Sequence, residues 1–366
     1  MIYLDHNASN PAAPEILEAV VGVLRSAPGN PGSPHGVGRR ARAIVEGARE
    51  HVAEAFGFRR GQVVFCASGT EALNLVLTGL LDPGDHFLHS AVEHKAVYEP
   101  ACALEQAGVM RSVLPVDAGG RIKLDAVPEL ILPETTLCAV MAANNEVGTL
   151  QPLEELRALL PPRVRLLVDG IQAAGRIELD WSLADALVIS GHKLRAPKGS
   201  AALLLRDGLE PRPLIRGGSQ ERGRRGGTEA VAAIAGLGCA ARLVKEGTLF
   251  SRGVLQAQRE QFESALMEAL PMAEILGLGV PRLPQTTALV IPGWTAEELI
   301  AALDLKGVAV SSGSACSSGS LLASHVLLAM GLSESLARSA LRISFGPETS
   351  SSELDRALAI LATIVG

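Results

Sequence analysis

Short apolar runs punctuate the first part of the chain, at 62–66, 86–89, 109–114, 137–142, 164–168, 186–190 and 201–205. Turn-forming residues bound them, and several are unbroken rather than alternating, the pattern of strands buried on both faces. Between them, apolar residues recur every three or four positions, as in 70–81, 96–107 and 153–160, which predicts helices. Upstream, Pro14 opens a helix carrying Ile16, Leu17, Val20 and Leu24 on one face, and a second amphipathic helix runs to about Phe56. Strand–helix alternation of this kind predicts an α/β domain around a mostly parallel, seven-stranded sheet covered on both sides.

A long helical pattern over 228–270 ends this regime. Beyond it the chain reads as α+β, with a strand at 286–291, a helix at 295–304 and a loop at 311–320. A helix at 321–330, a strand at 341–345 and a last helix ending at Val365 follow. The expected organisation is a large domain over 13–248 and a smaller C-terminal domain over 249–366. Residues 1–12 read as an extended lead, turning at Ala8-Ser9-Asn10-Pro11 and packing on the smaller domain.

Composition narrows the function classes. The chain of 366 residues is 48% hydrophobic but only 3% aromatic, so its core is aliphatic. A net charge of −6 argues against a broadly basic nucleic-acid surface, and no apolar run reaches the length of a membrane span. Neither nucleic acid nor membrane is an expected partner. Five scattered cysteines without a Cys-x-x-Cys pair suggest neither a disulfide framework nor a zinc knuckle, and fit a reducing cytoplasm. Lysines are scarce among the 33 basic residues, which makes each one more conspicuous.

The most conspicuous is Lys193, in Ser190-Gly191-His192-Lys193-Leu194-Arg195-Ala196-Pro197-Lys198-Gly199, where one buried strand ends and before the next begins. Burial disfavours the ammonium form, and a neutral amine can form a Schiff base with a carbonyl. Lys198, between Pro197 and Gly199, reads as a turn residue. In Phe65-Cys66-Ala67-Ser68-Gly69-Thr70-Glu71 a strand gives way to a helix start, which is either an ordinary cap or a phosphate site. Asn144-Asn145-Glu146, Asp169 and Gln172 follow strands, where ligands of α/β sheets bind, though turn chemistry also favours such residues.

Other features divide in the same way. His86 and His89 would point to opposite faces of a strand and so do not suggest a metal site, whereas His94 in the following loop can stack on a flat ring. Gly-x-Gly-x-x-Ala matches begin at Gly36 and Gly236, but neither follows a strand, so neither is taken as a dinucleotide fingerprint. Arg216, Arg222, Arg224 and Arg225 among glycines suggest an anion-binding loop or a subunit contact; no aromatics interleave them for stacking on bases. Cys316 lies within an uncharged Ser/Gly stretch, which reads as a reactive thiol on a mobile arm or as a plain linker. Arg342, on an apolar strand, would face the interior and need a carboxylate partner.

The ordered set of motifs resembles the cysteine desulfurases, within the class V aminotransferase group of pyridoxal-phosphate enzymes. It is carried by Glu93-His94-Lys95-Ala96-Val97, Asn144-Asn145-Glu146-Val147-Gly148, Ser190-Gly191-His192-Lys193 and Ser311-Ser312-Gly313-Ser314-Ala315-Cys316. The last is similar to the group with a long catalytic-cysteine loop. The resemblance implies pyridoxal-phosphate fold type I and a homodimer. It implies pyridoxal 5'-phosphate on Lys193 as a Schiff base, with His94 stacking on the ring, Asp169 on the ring nitrogen and Gln172 on the phenolic oxygen. Gly69, Thr70, Ser190 and His192 would hold the phosphate, joined by Thr228 from a second subunit. Asn145 would lie near cofactor and substrate, Arg342 would take the substrate carboxylate, and Cys316 would receive sulfur from L-cysteine as a persulfide, leaving L-alanine.

The implied sulfur acceptor is a protein, an iron–sulfur scaffold or a thiolation protein, and no metal is implied at the site. Three stretches depart from the usual pattern: Ser9-Asn10 in place of Thr-Thr, Ser68-Gly69 at the phosphate turn, and Arg195-Ala196 where an aromatic and a glycine are frequent. No extended tail follows the last helix, which leaves the acceptor open. The alternatives within the group are a selenocysteine lyase and an aminotransferase, and Cys316 is the feature a transaminase does not need.

Overall fold

The computed structural model describes residues 1–313 and 323–366. The chain begins β1 (Ile2–Tyr3), α1 (Pro14–Ser26), α2 (Gly36–Ala55), β2 (Val63–Cys66), α3 (Gly69–Leu80), β3 (His86–Ser90), α4 (Lys95–Gln106) and β4 (Met110–Leu114). Next come α5 (Val127–Leu130), β5 (Thr135–Met141), α6 (Leu153–Leu159), β6 (Arg165–Asp169), β7 (Ala186–Ser190), β8 (Ala201–Leu205), α7 (Val231–Lys245) and α8 (Arg252–Ala269). The remainder is β9 (Glu274–Ile275), β10 (Thr286–Val290), α9 (Ala296–Leu305), β11 (Val308–Ala309), α10 (His325–Ala329), α11 (Glu334–Arg338), β12 (Ala340–Ser344) and α12 (Ser351–Val365).

Strands β2 to β8 form one seven-stranded sheet in the order β2-β8-β7-β6-β5-β3-β4. The expected α/β architecture with a mostly parallel sheet is therefore correct, with one reversal: β8 runs antiparallel to both β7 and β2. The reversal follows from chain length. Only residues 191–200 separate β7 from β8, too few for the helical crossover that a parallel neighbour requires.

Both faces of the sheet are buried. Val63 and Phe65 join one apolar cluster while Val64 and Cys66 join the other, and Leu187 and Ile189 divide from Ala186 and Val188 in the same way. On one face lie Leu73 and Val76 of α3 and Val97 of α4. On the other lie Val52 of α2 and Leu237 of α7. Each fully buried leucine of this kind contributes about 1.5–3 kcal/mol. The Gly-x-Gly spacing at 236–238 has a packing cause, since a Cβ on Gly238 would lie 2.5 Å from the Cα of Ala48 in α2. That glycine lets two helices approach closely.

The predicted helical stretch 228–270 is two helices, α7 and α8, parted after Gly247, whose φ of +72° is left-handed. A three-stranded antiparallel sheet, β12-β10-β9, follows. The N-terminal strand β1 pairs in parallel with β11, and Asp5 bridges to Ser344 at the end of β12. The helices α9 and α12 open on capping boxes, Thr295 with Glu298 and Ser350 with Glu353. Of the helix expected over 321–330, α10 supplies His325–Ala329, and residues 321 and 322 lie outside the described residues. Among the described residues, no helix is long and apolar enough to cross a membrane.

Candidate active site

Polar groups gather at the carboxyl ends of β3, β5, β6 and β7, as the topology of an open parallel sheet dictates. They line a cleft of about 410 Å³ that contains Gly69, Thr70, His94, Asn145, Asp169, Gln172, Ser190, His192, Lys193 and Arg342. These positions are scattered over more than 270 residues of sequence, and the fold brings them to one place.

Lys193 ends a single 3₁₀ turn, Gly191–Lys193, directly after β7. Its Nζ donates to the carbonyl oxygens of Asn7 at 2.5 Å and Ala8 at 2.8 Å. Its own carbonyl accepts from Asn10 Nδ2 at 3.2 Å and Arg176 Nη2 at 2.8 Å. Amine and backbone are thus both fixed by the N-terminal segment. Asn10, one of the sequence departures, is a structural clamp here.

Asp169 closes β6 and is 5% exposed. Burial pushes its carboxyl up to about 6, against the opposing pull of the Ile171 N–H bond and the charge of Lys193. One oxygen, Oδ1, accepts from Ile171 N at 2.9 Å. The N-cap of α4 is His94, whose Nδ1 accepts from Ala96 N at 3.0 Å. Burial, with the charges of Lys193 and Lys95 and the neighbouring His325 acting in the same direction, pushes His94 down to about 4. The ring is therefore neutral at pH 7, with Nδ1 as acceptor and the proton on Nε2.

At the other side of the cleft, Ser68 caps α3 by accepting from Glu71 N at 3.1 Å. The first-turn N–H groups of such a helix seek an anion. Gly69 gives this turn room, since a Cβ there would lie 2.3 Å from Cδ1 of Ile171, a side-chain tip that would have to turn aside. His192 is held down to about 4, chiefly by burial. Its Nδ1 is buried without a hydrogen-bond partner among the described residues, as are Gln172 Oε1 and Arg342 Nε. Such atoms are costly unless a ligand or water completes them.

Arg342, on β12, is the interior charge that the sequence led us to expect, and its carboxylate partner is Asp5. Nη2 of Arg342 lies 2.6 Å from Asp5 Oδ1, and Nη1 donates to the carbonyls of Asn145 at 2.8 Å and Gly313 at 3.3 Å. Two of the expected site residues are not among those that line the cleft as described. Thr228 lies outside the cleft, beside Phe65, Gly199 and Arg225. Cys316 lies outside the described residues.

Sequence reasoning missed Asn7 and Ala8, which act through backbone carbonyls and so leave no mark in residue type. Asn7 is the hub of the segment: its carbonyl also accepts from Gln172 Nε2 at 2.9 Å, and its side chain bonds Thr286 and Gln285. His86 and His89 are otherwise engaged. His86 bonds Thr135 and Ser112, and His89 bonds the Ser90 carbonyl. Among the described residues no cluster of three His, Cys, Asp or Glu side chains is placed to hold a metal. The arginine-rich loop folds back on the domain, with Arg224 on the carbonyls of Gly61 and Val63 and Arg225 paired to Glu71.

The chain is similar to known proteins along nearly its whole length. The aminotransferase class-V family model matches residues 2–357. A cysteine desulfurase from Trichormus azollae is 38% identical, over 100% of this chain and 93% of that protein. The NifS-like protein from Rickettsia africae ESF-5 superposes with a TM-score of 0.90 at 32% identity, covering 100% of this chain and 99% of that one. SspA, solved in complex with cysteine, superposes with a TM-score of 0.83 at 32% identity, covering 96% and 100%. Matches of this extent, on a fold type I scaffold, mean that the chain belongs to the aminotransferase class-V family and, within it, to the cysteine desulfurases.

Proposed function

We propose that the cleft binds pyridoxal 5'-phosphate and uses it to convert L-cysteine to L-alanine, with the sulfur passing to Cys316. The carrying observation is that Lys193, Asp169 and His94 line one cleft with the N-terminus of α3. The residues fit the group. The helix start at Ser68, Gly69 and Thr70 suits a phosphate, with Ser190 and the unpartnered His192 Nδ1 beside it. Neutral His94 suits a face of the ring, buried Asp169 suits a protonated ring nitrogen, and Gln172 suits the phenolic oxygen. The 410 Å³ cleft is of small-molecule size.

When bound, the cofactor supplies an electron sink for negative charge developed on the substrate carbon atoms. Asp169 keeps the ring nitrogen protonated, since an adjacent cation favours its own ionised form. Lys193, seated among carbonyl acceptors, is the group that moves a proton to and from the substrate carbon. Arg342 orients the substrate carboxylate, with Asn145 beside it. The Cys316 thiolate takes the substrate sulfur: the carbon–sulfur bond breaks, a sulfur–sulfur bond forms, and a proton replaces sulfur on carbon. Cysteine and the Cys316 thiol become alanine and a Cys316 persulfide, with no outside oxidant. That SspA was solved with cysteine bound supports this substrate.

The same reading makes the chain a cytoplasmic homodimer in which the partner's copy of Thr228 completes the phosphate site. It also divides the chain at residue 248, with 1–12 belonging to the smaller domain, and delivers the persulfide sulfur to a protein acceptor. The test is visible absorption of the purified protein with and without L-cysteine, alongside assay of sulfide and alanine. A coloured protein whose spectrum shifts with cysteine and which forms alanine is the expected result; a colourless protein that forms none overturns it.

A further inference from the structure

A buried carboxyl that the reaction does not use sits immediately before His94. Glu93 is 1% exposed. Its Oε1 accepts from Ser90 Oγ at 2.5 Å and from the backbone N–H of Met141 at 2.8 Å. Its carbonyl oxygen accepts from His325 Nε2 at 2.9 Å. The residue before it is held as well, since Asn144 Nδ2 donates to the Val92 carbonyl at 3.1 Å. One residue thus ties together the end of β3, the last residue of β5 and the first residue of α10. His94 leaves the chain at that junction.

We propose that Glu93 is a positioning residue, holding the His94 loop against β5 as an uncharged carboxylic acid. Resting on the cofactor reading, it assigns how His94 is kept in register with Asp169. Geometry argues for the neutral form. Oε2 is buried with no hydrogen-bond partner among the described residues, and both bonds on the carboxyl go to Oε1. No salt bridge reaches it among the described residues. The titratable groups facing it from other elements are Asp169 at the end of β6, the buried thiol of Cys138 on β5 and His325 of α10, whose ring bonds its carbonyl, with His94 next to it in its own loop. An anion at Glu93 would compete with Asp169 for any cation in the cleft. The displaced acidity agrees: burial pushes Glu93 up to about 8, with the Ser90 and Met141 bonds opposing and the Asp169 charge adding to the rise.

A neutral acid has a close mimic, which makes the idea testable with the full-length protein as purified. The infrared difference between wild type and Glu93→Gln at pH 7 should contain a protonated-acid carbonyl stretch that the variant lacks. Carboxylate bands in its place would overturn the neutral assignment. Nuclear magnetic resonance of the histidine rings supplies the second arm. Wild type and Glu93→Gln should both keep His94 uncharged down to about pH 4. In Glu93→Ala the released loop should let it titrate near its ordinary value, and an unmoved His94 there would sink the positioning role.

Sulfide release gives the third arm: Glu93→Gln should stay within about two-fold of wild type, whereas Glu93→Asp, one methylene short of Met141, should lose at least roughly ten-fold, in kcat rather than KM. Equal activity of Gln and Asp variants contradicts the proposal. The first two readouts need no turnover, so a protein that proves inactive on cysteine would refute the proposed function while leaving them intact. Should Glu93→Ala fail to fold, Glu93→Asp takes its place in the resonance experiment.

Discussion

Asp5 and Arg342, 337 residues apart in sequence, form an ion pair at 2.6 Å in which the arginine side chain is 4% exposed and the aspartate 20%. The arginine proposed to meet the substrate carboxylate is therefore held by a carboxylate from the opposite end of the chain. Asp5 aims the guanidinium, and the Asn145 and Gly313 carbonyls occupy its other terminal nitrogen. Replacing Asp5 with Ala removes one charge-assisted bond and lets the guanidinium swing. We expect KM for cysteine to rise about ten-fold, the equivalent of about 1.4 kcal/mol, with kcat little changed. Steady-state kinetics decide it, and an unchanged KM would show that Asp5 does not orient Arg342.

Cys316→Ser separates a desulfurase from a transaminase. The thiol is not part of the ring-binding set, so the visible spectrum should be retained and should still respond to cysteine. Sulfide release should fall to background. Full release from this variant would mean that sulfur leaves by a route without Cys316.

Glu93 gives stability a measurable pH slope. Its native carboxyl is raised, so between about pH 4.5 and 8 the folded chain holds a proton that the unfolded chain has released. Stability from this group is present below 4.5 and is lost as pH rises towards 8, by roughly 5 kcal/mol at most. Glu93→Gln should abolish that component, becoming more stable relative to wild type as the pH is raised from 5 to 8. Urea midpoints of the two proteins at both pH values are the measurement. Parallel pH profiles would show that Glu93 is ionised in the native state.

Glu221 should be among the more destabilising positions to alter. It adopts a left-handed φ of 49° and is 6% exposed. Its carboxylate takes both terminal nitrogens of Arg49, at 2.7 and 2.8 Å, and the N–H of Phe65 at 2.9 Å. Glu221→Ala would leave the buried Arg49 guanidinium against the edge strand β2 with only Glu46 at 3.3 Å and the Val63 carbonyl at 3.0 Å as partners, a loss of about 1–3 kcal/mol. Thermal unfolding should show a clear drop in midpoint.

Legibility in the sequence followed the range of the interaction. Runs such as Ala186–Ser190 and Ala201–Leu205 announce strands because every residue is buried, and the structure places them within a residue of expectation. Two-residue strands cannot announce themselves. Ile2–Tyr3 is a strand only because Val308–Ala309 is there to pair with it. The reversal of β8 was not read either, although the ten residues before it already forbid a helical crossover. At the site, side chains with chemical character were identifiable by type and by position after a strand. Arg342 declared the need for a carboxylate, but nothing local could say that Asp5 would supply it. The carbonyls of Asn7 and Ala8 on Lys193 have no residue-type signature at all.

The N-terminal segment also sets the order in which the molecule can be completed. Residues 2–10 leave the ribosome about three hundred residues ahead of Val308, Arg342 and Ser344, which they must pair with. Until β12 has emerged, the segment that seats Lys193 can make its bonds to Gln172 and to the Lys193 carbonyl but not those to Arg342 and Ser344. The cleft is completed only near the end of synthesis, and a nascent chain stalled before residue 340 would lack the Arg342 side of its site.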